Sequence, residues 1–285
     1  VSHDSVEVLP DLLRSLHTAS VHPASIVVAE NGTELRERTR AICAEYHAEY
    51  VELESNSGYG GGIMGALEHS PSDSEFILVT NPDVVYQPGS LDALVAAADR
   101  LPQAAVFGPR ILDGNGDTYP SARRFPSLST GIGHTLLANI MPNNRWSSRY
   151  RADVLDPEIE RATEWLSGAS FLIRRSVFTR VGGFDLSYFM YFEDVDLGRR
   201  VARDGQLSWY VPAAVVTHTG AHSTRGSSAQ MRIEHHRSAY RFLAGQYPHW
   251  YQAPIRWSLK LGLGAHARWD ARAIRRAERQ DPTER

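Results

Sequence analysis

The sequence predicts an α/β fold: a mostly parallel central sheet with helices on both faces, followed by a C-terminal helical extension. Two observations carry this prediction. Apolar runs of strand length alternate with runs of helical periodicity through the first half of the 285 residues. From about residue 229 the strand-like runs stop and helical patterning takes over.

Taken in order, Val1-Ser2-His3 reads as the tail of a strand whose beginning is absent. Residues 6–16 read as a helix, and Ile26-Val27-Val28-Ala29 as a short buried strand. Residues 34–46 are helical and 50–53 strand-like. A glycine-rich turn then leads into a helix near 63–68. Phe76-Ile77-Leu78-Val79 is a buried strand, 91–98 a helix and 104–108 a strand. Residues 120–164 carry Pro120, Pro126, Pro142 and Pro157, which marks a long, irregular insertion over the active face. Residues 165–173 return to one apolar strand with Ser167-Gly168 inside it, and 207–216 form a later strand ending at His218. This divides the chain into an α/β catalytic unit over 1–225 and a helical, basic and aromatic region over 226–285.

A hydrophobic content of 42% and a charged content of 22% fit a well-cored globular protein. The net charge of −3 argues against a nucleic-acid partner. Cys43 is the single cysteine, which rules out an internal disulfide and a cysteine-based zinc site, and suits a reducing compartment. No apolar run is long enough to span a bilayer, so membrane contact is expected to be peripheral. The tail from Trp257 mixes Leu and Trp with Lys260, Arg268, Arg272, Arg275, Arg276 and Arg279, and reads as an interfacial amphipathic helix.

The densest chemistry lies at Tyr191-Phe192-Glu193-Asp194-Val195-Asp196-Leu197, where three acids follow an aromatic run and open a helix. The positive end of a helix dipole favours ionised carboxylates, and an ionised carboxylate on a rigid helix start suits a general base. Asn81-Pro82-Asp83 follows an apolar strand, where open α/β sheets bind ligands, so Asp83 is placed to hold Mg²⁺ or Mn²⁺ bridging substrate phosphates. His218, at another strand's end, is a further metal-ligand candidate. Glu30-Asn31-Gly32 places an acid where it can accept a hydrogen bond from a nucleobase. Arg123, Arg124, Arg174 and Arg175 form basic pairs of the kind that grip phosphate.

Asn56-Ser57-Gly58-Tyr59-Gly60-Gly61-Gly62 opens a helix in the manner of a phosphate- or sugar-approaching turn. Gly60 to Gly65 also spells GxGxxG, with Asp83 near the spacing of a ribose-binding acid. A nicotinamide-dependent oxidoreductase is therefore a rival reading. Against it, the preceding strand (Val51, Glu52, Leu53, Glu54) is polar, and a complete strand and helix already stand before it. A non-catalytic sugar-nucleotide binder is a third reading, disfavoured because a pure binder needs no base.

Together these motifs resemble the family 2 glycosyltransferases. The resemblance runs in order through Glu30-Asn31-Gly32, Asn56-x-Gly58-x-Gly60, Asn81-Pro82-Asp83, Trp165-Leu166-Ser167-Gly168, Gly182-Gly183-Phe184-Asp185, the Glu193-Asp194 motif and His218. It implies a GT-A fold, Rossmann-like, and an inverting, metal-dependent transfer from a nucleotide sugar. Carried over, Asp194 is the catalytic base, Asp83 the metal-binding acid and His218 a completing ligand. Glu30, Asn56, Gly58, Gly60, Asn81, Arg123, Gly168 and Glu193 line the substrates. Glu30 replaces a usual aspartate, and Met64 a usual asparagine. Tyr119-Pro120-Ser121-Ala122-Arg123 and Ala221-His222-Ser223-Thr224 resemble bacterial rhamnosyltransferases within the family. That implies dTDP-L-rhamnose as donor and a polyprenyl-diphosphate-linked N-acetylglucosamine as acceptor, in synthesis of the arabinogalactan linkage unit. It also implies a cytoplasmic enzyme peripheral on the inner face of the plasma membrane, with pairing into a homodimer through the C-terminal helices.

Overall fold

A computed structural model describes residues 1–21, 24–126, 156–220 and 228–280. The strands are β1 (Val27–Glu30), β2 (Glu49–Glu52), β3 (Phe76–Thr80), β4 (Val84–Tyr86), β5 (Ala104–Leu112), β6 (Thr118–Tyr119), β7 (Ala122–Arg123), β8 (Arg161–Thr163), β9 (Trp165–Leu166), β10 (Ser170–Arg174) and β11 (Leu207–His218). The helices are α1 (Leu9–Ala19), α2 (Arg36–Glu45), α3 (Gly58–Leu67), α4 (Ser90–Arg100), α5 (Arg175–Arg180), α6 (Glu193–Arg203), α7 (Ser228–Ala244) and α8 (Ala253–Gln280).

Alternation along the central strands builds two cores, one on each face of the sheet. Phe171 and Ile173 of β10 join Val106, Ile63, Phe178 and Val201 on one side. Leu172 between them faces Phe107, Ile111, Leu13 and Leu94 on the other. Phe107, Phe171, Ile111 and Ile173 are fully buried, each worth about 2 kcal/mol of transfer from water. Helices cover both faces, as expected.

Strand direction departs from the expected parallel pattern. The seven-stranded sheet is mixed, in the order β3-β10-β5-β11-β4, with β6 on β5 and β8 on β11. β10 runs antiparallel to both β3 and β5, and β4 antiparallel to β11, while β5 and β11 are parallel. β1 and β2 form a separate parallel pair, and Ser2 continues it by a parallel bridge to Glu30. Apolar runs do not encode direction, because a strand buried on both faces looks alike either way.

The apolar run 165–173 is split rather than continuous. β9 pairs with β7, and the ladder breaks at Ser167-Gly168-Ala169 before β10 begins. The break has a cause: the Ser167 N–H bonds the Ser121 carbonyl, and the Gly168 N–H is taken by Asp194. The insertion is anchored at both ends, by β7 on β9 and β8 on β11. Its middle, with Pro142, and the Ala221-His222-Ser223-Thr224 motif lie outside the described residues, as do the side chains of the basic tail from 267.

The helix expected near 63 starts at Gly58 and runs through the glycines. Poor helix propensity is overridden by close packing: a Cβ at Gly60 would meet the Phe184 side chain at 3.0 Å. Met64 packs its sulfur beneath the Gly183 turn.

The start of α6 is fixed by Asp196. Its carboxylate, 4% exposed as a residue, bonds Arg199 at 3.0 Å and Arg200 at 2.7 Å. Arg200 reaches on to the carbonyls of Val181 and Gly183, tying the helix to the glycine turn. Asp196→Ala leaves both guanidinium groups without their counter-charge, and urea unfolding should show a loss of about 3 kcal/mol.

Candidate active site

Three strand ends converge because β10 runs backwards. The Asn81 N–H bonds the Ala169 carbonyl at 2.9 Å, so Asn81-Pro82-Asp83 lies against the 167–169 turn. β11 pairs with β4 through His218 opposite Val84, which sets His218 beside Asp83. Asp83 Oδ1 and His218 Nε2 are 3.1 Å apart, and Asn81 Nδ2 is 3.3 Å from the same nitrogen. Burial works against the Asp83 carboxylate, but His218 together with backbone N–H donors of Asp83 and Gly220 outweighs it and lowers its pKa. One ionised carboxylate and one imidazole fit a hard divalent cation that takes its remaining ligands from phosphate and water. Among the described residues no larger cluster of His, Cys, Asp or Glu forms a metal site.

The acids of the Glu193-Asp194 pair have unequal surroundings. Asp194 Oδ2 accepts the Gly168 N–H and Oδ1 the Val195 N–H, both at 2.8 Å. Burial raises its pKa, while those two donors and the charge of Arg123 hold the rise in check. Glu193 is 6% exposed, and its buried Oε2 has no hydrogen-bond partner. Burial, then repulsion from Asp194, pushes its pKa up to about 8. Of the two, Glu193 is the carboxyl that its surroundings hold in the neutral form, while the N–H donors on Asp194 favour its charged form.

A strained turn presents the pair. Tyr191 and Phe192 both adopt φ of +67°, and Phe192 caps α6 in the left-handed conformation. Both rings pack edge-on to His235 of α7, and the Ser238 hydroxyl bonds the Met190 carbonyl at 2.9 Å.

The glycine segment is held mainly by protein. The Asn56 side chain accepts the Gly58 N–H at 3.0 Å. Gly58 has φ of +76°, and any Cβ there would overlap the Phe189 carbonyl oxygen. Asn31 bridges the segment, giving its amide N–H to the Gly58 carbonyl and accepting from Ser57. Tyr59 donates its N–H to Phe189 and its hydroxyl to the Gly168 carbonyl. The GxGxxG lies inside α3 and not in a strand-to-helix loop, which removes the physical basis of the dinucleotide reading.

Glu30 is fully buried and its lone pairs are spent within the protein. One oxygen accepts from Ser2 and Thr39 hydroxyls, the other from the Asp4 and Gly32 N–H groups. Arg123 sits over the Tyr119 and Trp165 rings at 5.0 and 5.5 Å, with Nε on the Pro120 carbonyl. Arg174 and Arg175 are engaged in holding carbonyls of Ala104, Ala98 and Ser74, well accounted for as structural ties. Tyr59 and Asn31 were not singled out by sequence reasoning. The signal for Tyr59 is an aromatic inside a glycine run.

The sequence pattern described as glycosyl transferase family 2 matches residues 1–194. N-acetylglucosaminyl-diphospho-decaprenol L-rhamnosyltransferase of Mycobacterium tuberculosis (strain ATCC 25618 / H37Rv) is 41% identical over 282 residues, covering 95% of this chain and 92% of that protein. Rhamnosyltransferase WbbL of Escherichia coli (strain K12) is 29% identical over 252 residues, covering 86% and 90%. Among solved structures, the mannosyltransferase PcManGT of Pyrobaculum calidifontis, in complex with GDP-Man and Mn²⁺, superposes with a TM-score of 0.54 at 15% identity, covering 98% of this chain and 73% of that one. S. aureus TarS gives 0.54 at 15% identity over 84% of this chain and 38% of its own. These two share the fold.

A carboxyl whose native pKa lies above its unfolded value adds stability fully present below the unfolded value, and lost as pH rises through the native one. For Glu193 that window runs from about 4.5 to about 8. Glu193→Gln should therefore melt increasingly above wild type from pH 5 to 8, by at most about 5 kcal/mol, and the gap should level off beyond. Thermal melts across pH check this.

Proposed function

The chain belongs to glycosyl transferase family 2, and on that premise we propose that it moves L-rhamnose from dTDP-L-rhamnose to a polyprenyl-diphosphate-linked N-acetylglucosamine, with inversion. The product would be the unit linking arabinogalactan to peptidoglycan. The choice of sugar and acceptor rests on 41% identity, across nearly the whole chain, to an enzyme named for that transfer. The chemistry rests on one observation: the Asp194 carboxylate is held by two N–H donors, beside a buried Glu193 whose surroundings favour its neutral form.

Asp194 takes the proton from the attacking acceptor hydroxyl. The new C–O bond forms on the face opposite the leaving group, and the bond to the nucleoside diphosphate breaks. Asp83 and His218 are the residues to hold Mg²⁺ or Mn²⁺, with Asn81 orienting His218. A bound divalent cation supplies positive charge to the departing diphosphate. Arg123, braced between two rings, offers its remaining N–H groups to a phosphate. Glu193 contacts the acceptor, as a neutral acid able to donate. Asn56, Gly58 and Gly60 shape the donor wall, and Gly168 orients the base. Glu30 serves the nucleotide edge by holding residues 2, 4 and 32 in place rather than through free lone pairs.

The acceptor's lipid needs an enzyme at the bilayer surface. No helix among the described residues is long and apolar enough to cross a membrane. Trp250, Tyr251, Trp257 and Leu261 are all more than 60% exposed along one stretch. Residues 235–269 include Arg237, Arg241, Arg256, Lys260 and Arg268 but no Asp or Glu. Exposed aromatics with an excess of cations support peripheral binding to an anionic cytoplasmic leaflet.

Calorimetry with dTDP-rhamnose should show binding that requires Mn²⁺ and is lost in Asp83→Ala. Binding of a UDP-sugar alone would keep the transferase and discard rhamnose. Asp194→Asn should keep donor affinity and lose about 10²–10⁴ in turnover. Wild-type turnover in that variant removes Asp194 as base. Vesicles containing anionic lipid should float the wild type, and the double variant Trp250→Ser, Trp257→Ser should stay behind. Concentration-dependent dimerisation, lost in the same variant without any vesicle binding by wild type, would assign the face to a second copy.

A further inference from the structure

Tyr59 has no part in the reaction as described, yet it joins every piece of the acidic centre. It sits in α3 with its N–H on the Phe189 carbonyl at 3.0 Å, next to the turn that presents Glu193 and Asp194. Its hydroxyl donates 2.5 Å to the Gly168 carbonyl. Gly168 in turn gives its N–H to Asp194 Oδ2 at 2.8 Å. Gly168 has no side chain to hold its turn in place, and Tyr59 Cε1 and Asp194 Oδ2 both lie 3.4 Å from where its Cβ would be. The phenol is partly buried against the acidic pair, and desolvation, then negative charge on that pair, holds it protonated. It therefore stays a hydrogen-bond donor throughout the working pH range.

We propose that Tyr59 is a positioning residue, which acts through Gly168 to keep an N–H aimed at the catalytic carboxylate of Asp194. This rests on the reading of Asp194 as the base. With the hydroxyl gone, the Gly168 turn relaxes, the N–H weakens and the carboxylate binds its proton more tightly. The charged groups facing Asp194 are Glu193 on its own helix and Arg123 on β7, and neither changes in the test.

The experiment is steady-state kinetics of Tyr59→Phe across pH, with donor titration and thermal melts as folding controls. The expected result is a roughly tenfold lower kcat, donor KM within about twofold of wild type, and an acid limb of kcat/KM moved up by about half to one pH unit. In an Asp194→Asn background, Tyr59→Phe should cost nothing further, because its route to the reaction is already cut. A wild-type profile in Tyr59→Phe, or the same loss repeated on top of Asp194→Asn, overturns the proposal. If Asp194→Asn alone keeps wild-type turnover, the base reading fails first, which separates the two failures.

Discussion

The antiparallel pairing of β10 with β3 places the beginning of one strand against the end of the other. In an all-parallel sheet only strand ends would meet the ligand crevice. Here the 167–169 turn enters the crevice beside Asn81-Pro82-Asp83, and its backbone supplies the donor to Asp194. The parallel β5–β11 pair then carries His218 to the same edge through β4. Asp83 and Asp194, more than a hundred positions apart, thus share one rim because β10 and β4 both run against their neighbours.

The acidic pair is presented at a cost. Two consecutive aromatic residues in left-handed backbone cost about 1–3 kcal/mol each. Ring contacts to His235, a tilted contact of Phe192 with Phe242 and the Ser238–Met190 hydrogen bond offset it. Asp196 holds the helix behind the turn. The three acids at this helix start therefore have separate tasks, set by what each one touches.

Much of this was legible in the residues. Acids after apolar strands pointed to Asp83, and acids opening an amphipathic helix pointed to Asp194, because both patterns follow from local backbone geometry. Strand direction was not legible, since buried strands read alike from either end. The hydrogen bonds that Glu30 makes inside the protein were not legible, because its partners Ser2, Asp4 and Thr39 come from separate segments. The glycines looked like room for a ligand, whereas Gly58 and Gly60 make room for Phe189 and Phe184. Such close approaches are tertiary facts, which periodicity does not carry.

α7 is seated directly on the turn that presents the acidic pair. The helical region reads as an appendage, yet Phe242 is fully buried with Trp165, Tyr188 and Val195, and His235 braces the strained aromatics. A C-terminal region grafted from a relative would have to bring side chains matching this turn, or the turn would relax and withdraw the acids. The C-terminal helix and the acidic turn are thus one packing unit, and a change in either must be matched in the other.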